Sequence, residues 1–155
     1  MKILISLGAI PSVAYKRRLL ARLVRPILEA AVQANQNLLR NLKVPPLYQC
    51  GVRYQNEPEG TNEEFALIPV VLARKWGDCD DLAPWRCAEL REQGENAKIR
   101  VSWKVYKPSG FALYHVTVRR ADGTIEDPSK ILGMGKPVVA KQMHLDMMAG
   151  EPCSV

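Results

Sequence analysis

The chain has 155 residues, 47% of them hydrophobic and 25% charged, which is the balance of a globular protein. This length suits one domain, and no apolar run reaches the length of a transmembrane helix. We predict a single domain over residues 1–155, with an N-terminal helical segment (1–45) and a core (46–155). The net charge of +6 is compatible with an acidic partner, such as nucleic acid, an anionic polymer or an acidic protein, and equally with a protein that is simply basic.

The four cysteines are Cys50, Cys79, Cys87 and Cys153. They form no C-x-x-C pair, and the chain has only two histidines, so no zinc site is predicted. We expect free thiols in a reducing compartment, and no metal or other cofactor. Cys87 follows Cys79 by two helical turns, which favours a buried hydrophobic position.

The N-terminal third predicts a long helix. The apolar run Ile3–Ile10 is interpreted as a first strand or tail rather than a signal peptide. Apolar residues then recur every three or four positions over Tyr15–Lys43, and Pro26 either kinks this helix or begins a second one. The opposite face is basic, with Lys16, Arg17, Arg18, Arg22 and Arg25. A solvated face on a docked helix is the simplest interpretation; a nucleic acid, a membrane surface or another subunit are the alternatives.

The middle of the chain predicts short elements followed by a second helix. Val44-Pro45-Pro46 ends the first helix, and an extended segment follows over Leu47–Tyr54. Thr61–Glu64 is typical of a capping box before a short helix over Phe65–Ala73. A helix is predicted from Asp80 to Gln93, with Gly94 after its end.

The last part predicts an antiparallel meander. Strands are expected over Ala97–Tyr106, Phe111–Arg120 and Thr124–Asp127, and Asp122-Gly123 is a hairpin turn signal. A final short helix is expected over Val138–Met148. The fold class is therefore α+β, with a cysteine-bearing helix packed on an antiparallel sheet.

Three residues suggest thiol chemistry. Cys79 stands where a loop becomes a helix, and unpaired N–H groups and the helix dipole favour its thiolate there. His115 on the second strand offers a base, and Asp127 on the third offers a group to orient it. Counting outward from the turn pairs position 120 near 125 and position 118 near 127. Whether the two side chains share a face depends on the parity of that register.

Other interpretations of these residues remain open. An isolated cysteine is more often buried than reactive, and an aspartate before Pro128 is also a good turn former. Asp78, Asp80 and Asp81 are interpreted as helix caps; they could also suggest a Ca²⁺ or Mg²⁺ site, although they lack the spacing of an EF-hand. The tryptophans are expected in the core or in pocket walls. A second donor to an oxyanion could come from Gln49, Tyr54, Gln55 or Trp76.

The segment Gly77–Ala83, followed by His115 and Asp127-Pro128-Ser129, resembles the transglutaminase-like cysteine peptidase superfamily. The likeness is greater to small transglutaminase-like proteins of bacteriophages and prophages, on the motifs Trp76–Ala83, Ala88–Arg91, Glu126–Ser129 and Leu132–Met134. It covers roughly Trp76 to Met134 and leaves the basic N-terminal helix unexplained.

The resemblance implies a papain-like or transglutaminase-like core, with Cys79 as nucleophile, His115 as base and Asp127 as orienting group. It implies a thiol hydrolase or acyltransferase, best described as a peptidase or amidase, that attacks a peptide or glutamine-type amide in the host cytoplasm or the virion. A peptidoglycan-peptide hydrolase is one alternative. Another is a catalytically silent phage structural or interaction module that binds nucleic acid or a protein through Lys16–Arg25. Neither the substrate nor the oligomeric state follows from the sequence.

Overall fold

The first helix, α1, runs unbroken over Ala14–Asn41 and contains Pro26 within it. The computed structural model describes residues 14–58, 64–105 and 112–135. One face of α1 is buried at positions three or four apart, namely Val24, Leu28, Ala31, Val32 and Asn35. Because Pro26 lies on the exposed side, its ring does not interrupt this buried face.

The central helix, α3, runs over Cys79–Glu92, between α1 on one side and the sheet on the other. It follows a shorter helix, α2, over Ile68–Arg74. Its side chains enter two cores: Ala88 and Leu90 pack with Leu28 of α1 and with the sheet, whereas Leu82 and Trp85 belong to a second cluster. Cys87 is fully buried, as predicted.

Three antiparallel strands form the main sheet in the order β3 (Lys98–Val105), β4 (Ala112–Arg119) and β5 (Ile125–Glu126). The expected pairing of 120 with 125 and of 118 with 127 is wrong by one residue, because Arg119 pairs with Ile125 and Val118 with Glu126. The hairpin loop has three residues rather than two: the Arg120 N–H donates to the Thr124 carbonyl, and Gly123 closes the loop at φ +88°.

Two very short strands, β1 (Arg53–Tyr54) and β2 (Trp76–Gly77), pair in parallel just before α3. The helix expected over Phe65–Ala73 begins later, at Ile68, where Pro69 occupies its first turn. A last short helix, α4, covers Pro128–Ile131. The predicted first strand at Ile3–Ile10, positions 61–63 of the predicted cap and the predicted helix over Val138–Met148 lie outside the described residues.

The described residues therefore form a mixed α+β fold with four α-helices and a small antiparallel sheet. Cys50, Cys79 and Cys87 are free thiols within this part of the chain. None of the helices in the described part combines the length and the apolar character that a membrane span requires.

Candidate active site

Cys79 is the first residue of α3, and a capping box fixes the start of that helix. The Asp78 carboxylate accepts a hydrogen bond from the Asp80 N–H at 3.3 Å, and the Asp81 carboxylate accepts one from the Asp78 N–H at 3.3 Å. Aspartate suits both positions because its short side chain reaches the unpaired N–H groups of the first turn. The partly exposed thiol of Cys79 is therefore held at the positive end of the helix dipole.

Gly77 lets the segment before Cys79 lie directly against α3. A Cβ atom at this position would come within 3.2 Å of Asp81 Cβ and Leu82 Cδ2. The positive-φ glycines do not include Gly77, so close packing against α3, rather than an unusual backbone conformation, accounts for the small residue. The Gly77 carbonyl accepts a hydrogen bond from the Gln55 N–H at 3.0 Å, which joins this segment to the end of β1.

Arg74 ties the same segment to the helix, a role that the sequence analysis did not assign. Its guanidinium forms an ion pair with buried Asp81, donates to the Trp76 carbonyl at 2.8 Å and stacks 3.8 Å above the centroid of the Trp76 ring. Asp81 also accepts a hydrogen bond from the Ala66 N–H at 2.6 Å. These contacts restrain both sides of the loop that carries the cysteine.

His115 and Asp127 form a direct pair, with 2.9 Å between His115 Nε2 and Asp127 Oδ2. The register pairs Arg119 with Ile125, so odd-numbered residues of β4 and of the segment continuing β5 share one face. The other carboxylate oxygen of Asp127 accepts from the Lys130 N–H at 3.2 Å and caps α4. One carboxylate thus orients the imidazole and begins the next helix.

Tyr54 interacts electrostatically with both Cys79 and Asp127. Burial raises the pKa of Tyr54 to about 12, and the negative charges of Cys79, Asp78, Asp80 and Asp127 act in the same direction. The phenol is therefore influenced electrostatically by both the thiol and the Asp127 carboxylate. The Tyr54 N–H donates to the Leu132 carbonyl at 2.9 Å, which holds β1 beside the end of α4.

The four residues considered as second oxyanion donors have different surroundings in the fold. Gln49 is exposed on a short 3-10 helix, and the ring of Trp76 is covered by Arg74. The backbone of Gln55 pairs with Gly77. Tyr54 is the candidate whose polar group interacts with Cys79, while its hydroxyl donates to Asn56 Oδ1 at 2.5 Å.

Tyr114, next to His115, joins the sheet to the cysteine-bearing helix. Its hydroxyl donates to Asp80 Oδ2 at 2.5 Å, and its ring meets that of Trp103 edge-on with 5.5 Å between centroids. The ring of Tyr114 packs against the core that α3 shares with the sheet. A tyrosine beside the candidate base and an acidic run beside the candidate nucleophile were the signals that could have suggested this contact.

A charged network under β5 fixes the residue before Asp127. Glu126 accepts hydrogen bonds from Tyr48 Oη at 2.5 Å, from Arg86 Nε at 2.5 Å and from Arg120 at 3.0 Å. Burial opposes ionisation of this carboxyl, but the hydrogen bonds from Tyr48 and Arg86 outweigh it and lower the pKa of Glu126. The network anchors β5 to α3 and thereby limits the movement of Asp127.

The carboxylates of Asp78, Asp80 and Asp81, which flank Cys79, make the hydrogen bonds and ion pairs expected at the start of a helix. Oxygens of Asp78, Asp80 and Asp81 all lie within 4.8 Å of one another, as metal ligands could. In this fold they accept hydrogen bonds from backbone N–H groups, from Tyr114 and from Arg74. These contacts support the interpretation of the acidic run as caps.

No protein-family model, curated protein sequence or solved structure matches the chain. The chemistry of the site is therefore inferred from its residues and their geometry.

Proposed function

We propose that the protein is a thiol hydrolase or acyltransferase of the transglutaminase-like kind, with a papain-like core, that attacks a peptide or glutamine-type amide. Cys79 is the nucleophile, His115 the base and Asp127 the orienting group. The observation that supports this most is the 2.9 Å contact between His115 and Asp127. A nucleophile, a base and an orienting group are the three parts that thiol catalysis needs.

In the first half-reaction His115 takes the proton of the Cys79 thiol, and the sulfur attacks the carbonyl carbon of the amide. The negative charge that develops on the carbonyl oxygen is stabilised by the Cys79 N–H at the N-terminus of α3. We assign the Tyr54 hydroxyl as the second donor, which requires its one proton to turn from Asn56 Oδ1 to the oxyanion when the substrate is bound. The C–N bond then breaks, the imidazolium of His115 protonates the departing amine, and a thioester remains on Cys79.

In the second half-reaction a water molecule or a primary amine attacks the thioester. His115 takes the proton of the attacking group, the C–S bond breaks, and Cys79 returns as thiolate. Water gives a carboxylic acid and completes hydrolysis, whereas an amine gives a new amide and completes acyl transfer. Asp127 holds the imidazole in one tautomer and stabilises its protonated form through both halves.

The direct test uses a peptide that carries a glutamine-like side chain ending in a vinyl sulfone. We expect intact-mass spectrometry to show one adduct, and digestion to place it on Cys79. Cys79→Ala should abolish the adduct, while Cys50→Ala, the matched control at another partly exposed thiol, should leave it unchanged. Adducts spread evenly over all cysteines, or an adduct retained in Cys79→Ala, would refute the proposal.

The acceptor is identified by a second measurement. A glutamine peptide is incubated with the protein and a fluorescent primary amine, and ammonia and labelled peptide are quantified together. Ammonia without label indicates hydrolysis, and equal amounts of both indicate acyl transfer. His115→Ala should suppress both products, because neither half-reaction then has a proton carrier.

A further inference from the structure

A second charged surface lies at the other end of α3. A groove of about 660 Å³ runs between α1, the beginning of β3 and the end of β4. Its cationic residues are Arg25, Arg91, Lys98, Arg100 and Arg119, and its one carboxylate is Glu29. We call this surface the basic groove.

The carboxylate of the basic groove does not neutralise its exposed cations. Glu29 pairs with Arg91 at 2.5 Å. Arg25, Lys98, Arg100 and Arg119 are exposed, and none of them forms an ion pair with any residue in the described part of the chain. The groove is therefore a concentrated site of positive charge open to solvent.

The strand register makes this charge costly to the fold. Lys98 and Arg119 are direct partners across β3 and β4, and Arg100 lies two residues farther along the same face as Lys98. Like charges directly opposite each other on a sheet are destabilising. An anionic ligand would relieve this repulsion. We therefore interpret the three adjacent cations, Lys98, Arg100 and Arg119, as a binding surface for an anion.

The remaining lining indicates what kind of anion fits. None of the described residues that line the groove is aromatic, whereas a groove for single-stranded nucleic acid usually supplies rings on which bases stack. The groove offers instead the exposed side chain of Ile125 and the amide of Asn96. An extended peptide in which acidic and aliphatic residues alternate can satisfy both the cations and the apolar side chain.

We propose that the basic groove binds an acidic, aliphatic-containing peptide segment of a partner protein. The groove continues from the sheet face that carries His115 and Asp127, because Arg119 lies four residues after His115 and Ile125 lies two residues before Asp127. It is more distant from the thiol, because Arg91 lies twelve residues after Cys79 on α3, roughly 18 Å along the helix axis. Binding of the peptide does not require the thiol chemistry. The basic groove is a different surface from the helix face at Lys16–Arg25 that the sequence suggested for an acidic partner. Arg25 belongs to both surfaces.

The test is fluorescence anisotropy with a fluorescein-labelled peptide of alternating glutamate and valine. We expect saturable binding that weakens as salt is added, and no binding of the same peptide with glutamine in place of glutamate. The double variant Arg100→Glu/Arg119→Glu should weaken binding by about tenfold or more, because it replaces attraction by repulsion at two contacts. The matched control, Lys43→Glu/Arg53→Glu, makes the same change in net charge at exposed residues outside the groove.

The control variant separates a site from general charge attraction. Retained binding by Lys43→Glu/Arg53→Glu supports the groove, whereas equal losses in the two double variants overturn it. Failure of the wild-type protein to bind the glutamate peptide also overturns it. Tighter binding of a labelled oligothymidylate, lost in Arg100→Glu/Arg119→Glu, would replace the peptide by nucleic acid. Thermal unfolding confirms that each variant is folded, and Cys79→Ala should bind the peptide like the wild type.

Discussion

Replacing Asp127 by asparagine should separate the two tasks of this side chain. Asp127 Oδ2 accepts from His115, and Oδ1 accepts from the Lys130 N–H at the start of α4. Asparagine caps a helix about as well as aspartate. Its neutral amide, however, supplies no charge to stabilise an imidazolium. The variant should therefore fold like the wild type and still impair the chemistry at Cys79.

The size of the effect follows from the exposure of the pair. A hydrogen bond to a charged group contributes about 1.5–3 kcal/mol. The side chains of His115 and Asp127 are 28% and 15% exposed, so solvent screens their interaction. We therefore expect the lower part of that range, about 1.5–2 kcal/mol, which corresponds to a rate reduced by about 10- to 30-fold.

The assay needs no substrate. The protein is treated with iodoacetamide near neutral pH, and peptide mass spectrometry follows alkylation of each cysteine with time. Cys79 should react well before Cys50, Cys87 and Cys153. Burial raises the pKa of Cys87 to about 11, which makes it a slow internal reference. In Asp127→Asn the rate at Cys79 should fall by the factor given above, while the rate at Cys50 stays constant.

A second variant tests the division of tasks. Asp127→Ala removes the cap as well as the imidazole partner, so it should also lower the free energy of unfolding by about 0.5–2 kcal/mol. Unchanged alkylation of Cys79 in a folded Asp127→Asn protein would refute the assigned role of Asp127. Equal alkylation of all cysteines in the wild type would refute the activated thiol itself.

Three further predictions concern the surroundings of the site. Cys79→Ala removes a negative charge that acts on Tyr54 and should lower the pKa of that phenol from about 12. The pKa is measured from tyrosinate absorbance, as the difference between each protein and its Tyr54→Phe counterpart. An unchanged midpoint would contradict the interaction between Cys79 and Tyr54. Leu28→Ala should cost about 2–5 kcal/mol in urea unfolding because this residue is fully buried between α1 and α3, whereas Leu23→Ala, at a 48% exposed position, should cost little. Because the pKa of Glu126 is lowered in the fold, the stabilisation from its carboxylate is complete above the ordinary glutamate pKa and is lost as the pH falls through the lower value. Glu126→Gln should therefore reduce the free energy of unfolding by about 1–3 kcal/mol at neutral pH and by less in acid. Equal reductions at both pH values would argue against the network.

Much of the fold follows from local pattern. The periodicity of apolar residues predicted α1, α3 and the two long strands to within a few residues, because each has a face that must be buried. The acidic run around Cys79 predicted a helix start for the same kind of reason, since capping is a local interaction. These features depend on residues that are close in the sequence.

The contacts that hold the candidate site together could not be predicted in this way. Tyr54, Tyr114 and Arg74 are each placed by the packing of elements that are far apart or only loosely patterned in the sequence. A tyrosine on a two-residue strand carries no periodic signal. In the sequence, Arg74 is a basic residue at the end of a short helix. Its ion pair with buried Asp81 cannot be inferred from local pattern, because it forms only when the segment before Cys79 packs against α3.

The hairpin register shows how much depends on one residue of loop length. With the two-residue loop that Asp122-Gly123 suggested, position 127 would pair with position 118. Asp127 would then share the face of Val118, which is buried against α3, and would point away from His115. The three-residue loop closed by Gly123 shifts the pairing by one and puts Asp127 on the face of His115. The positive φ at Gly123 is therefore a condition for the contact between His115 and Asp127, although Gly123 lies outside the candidate site.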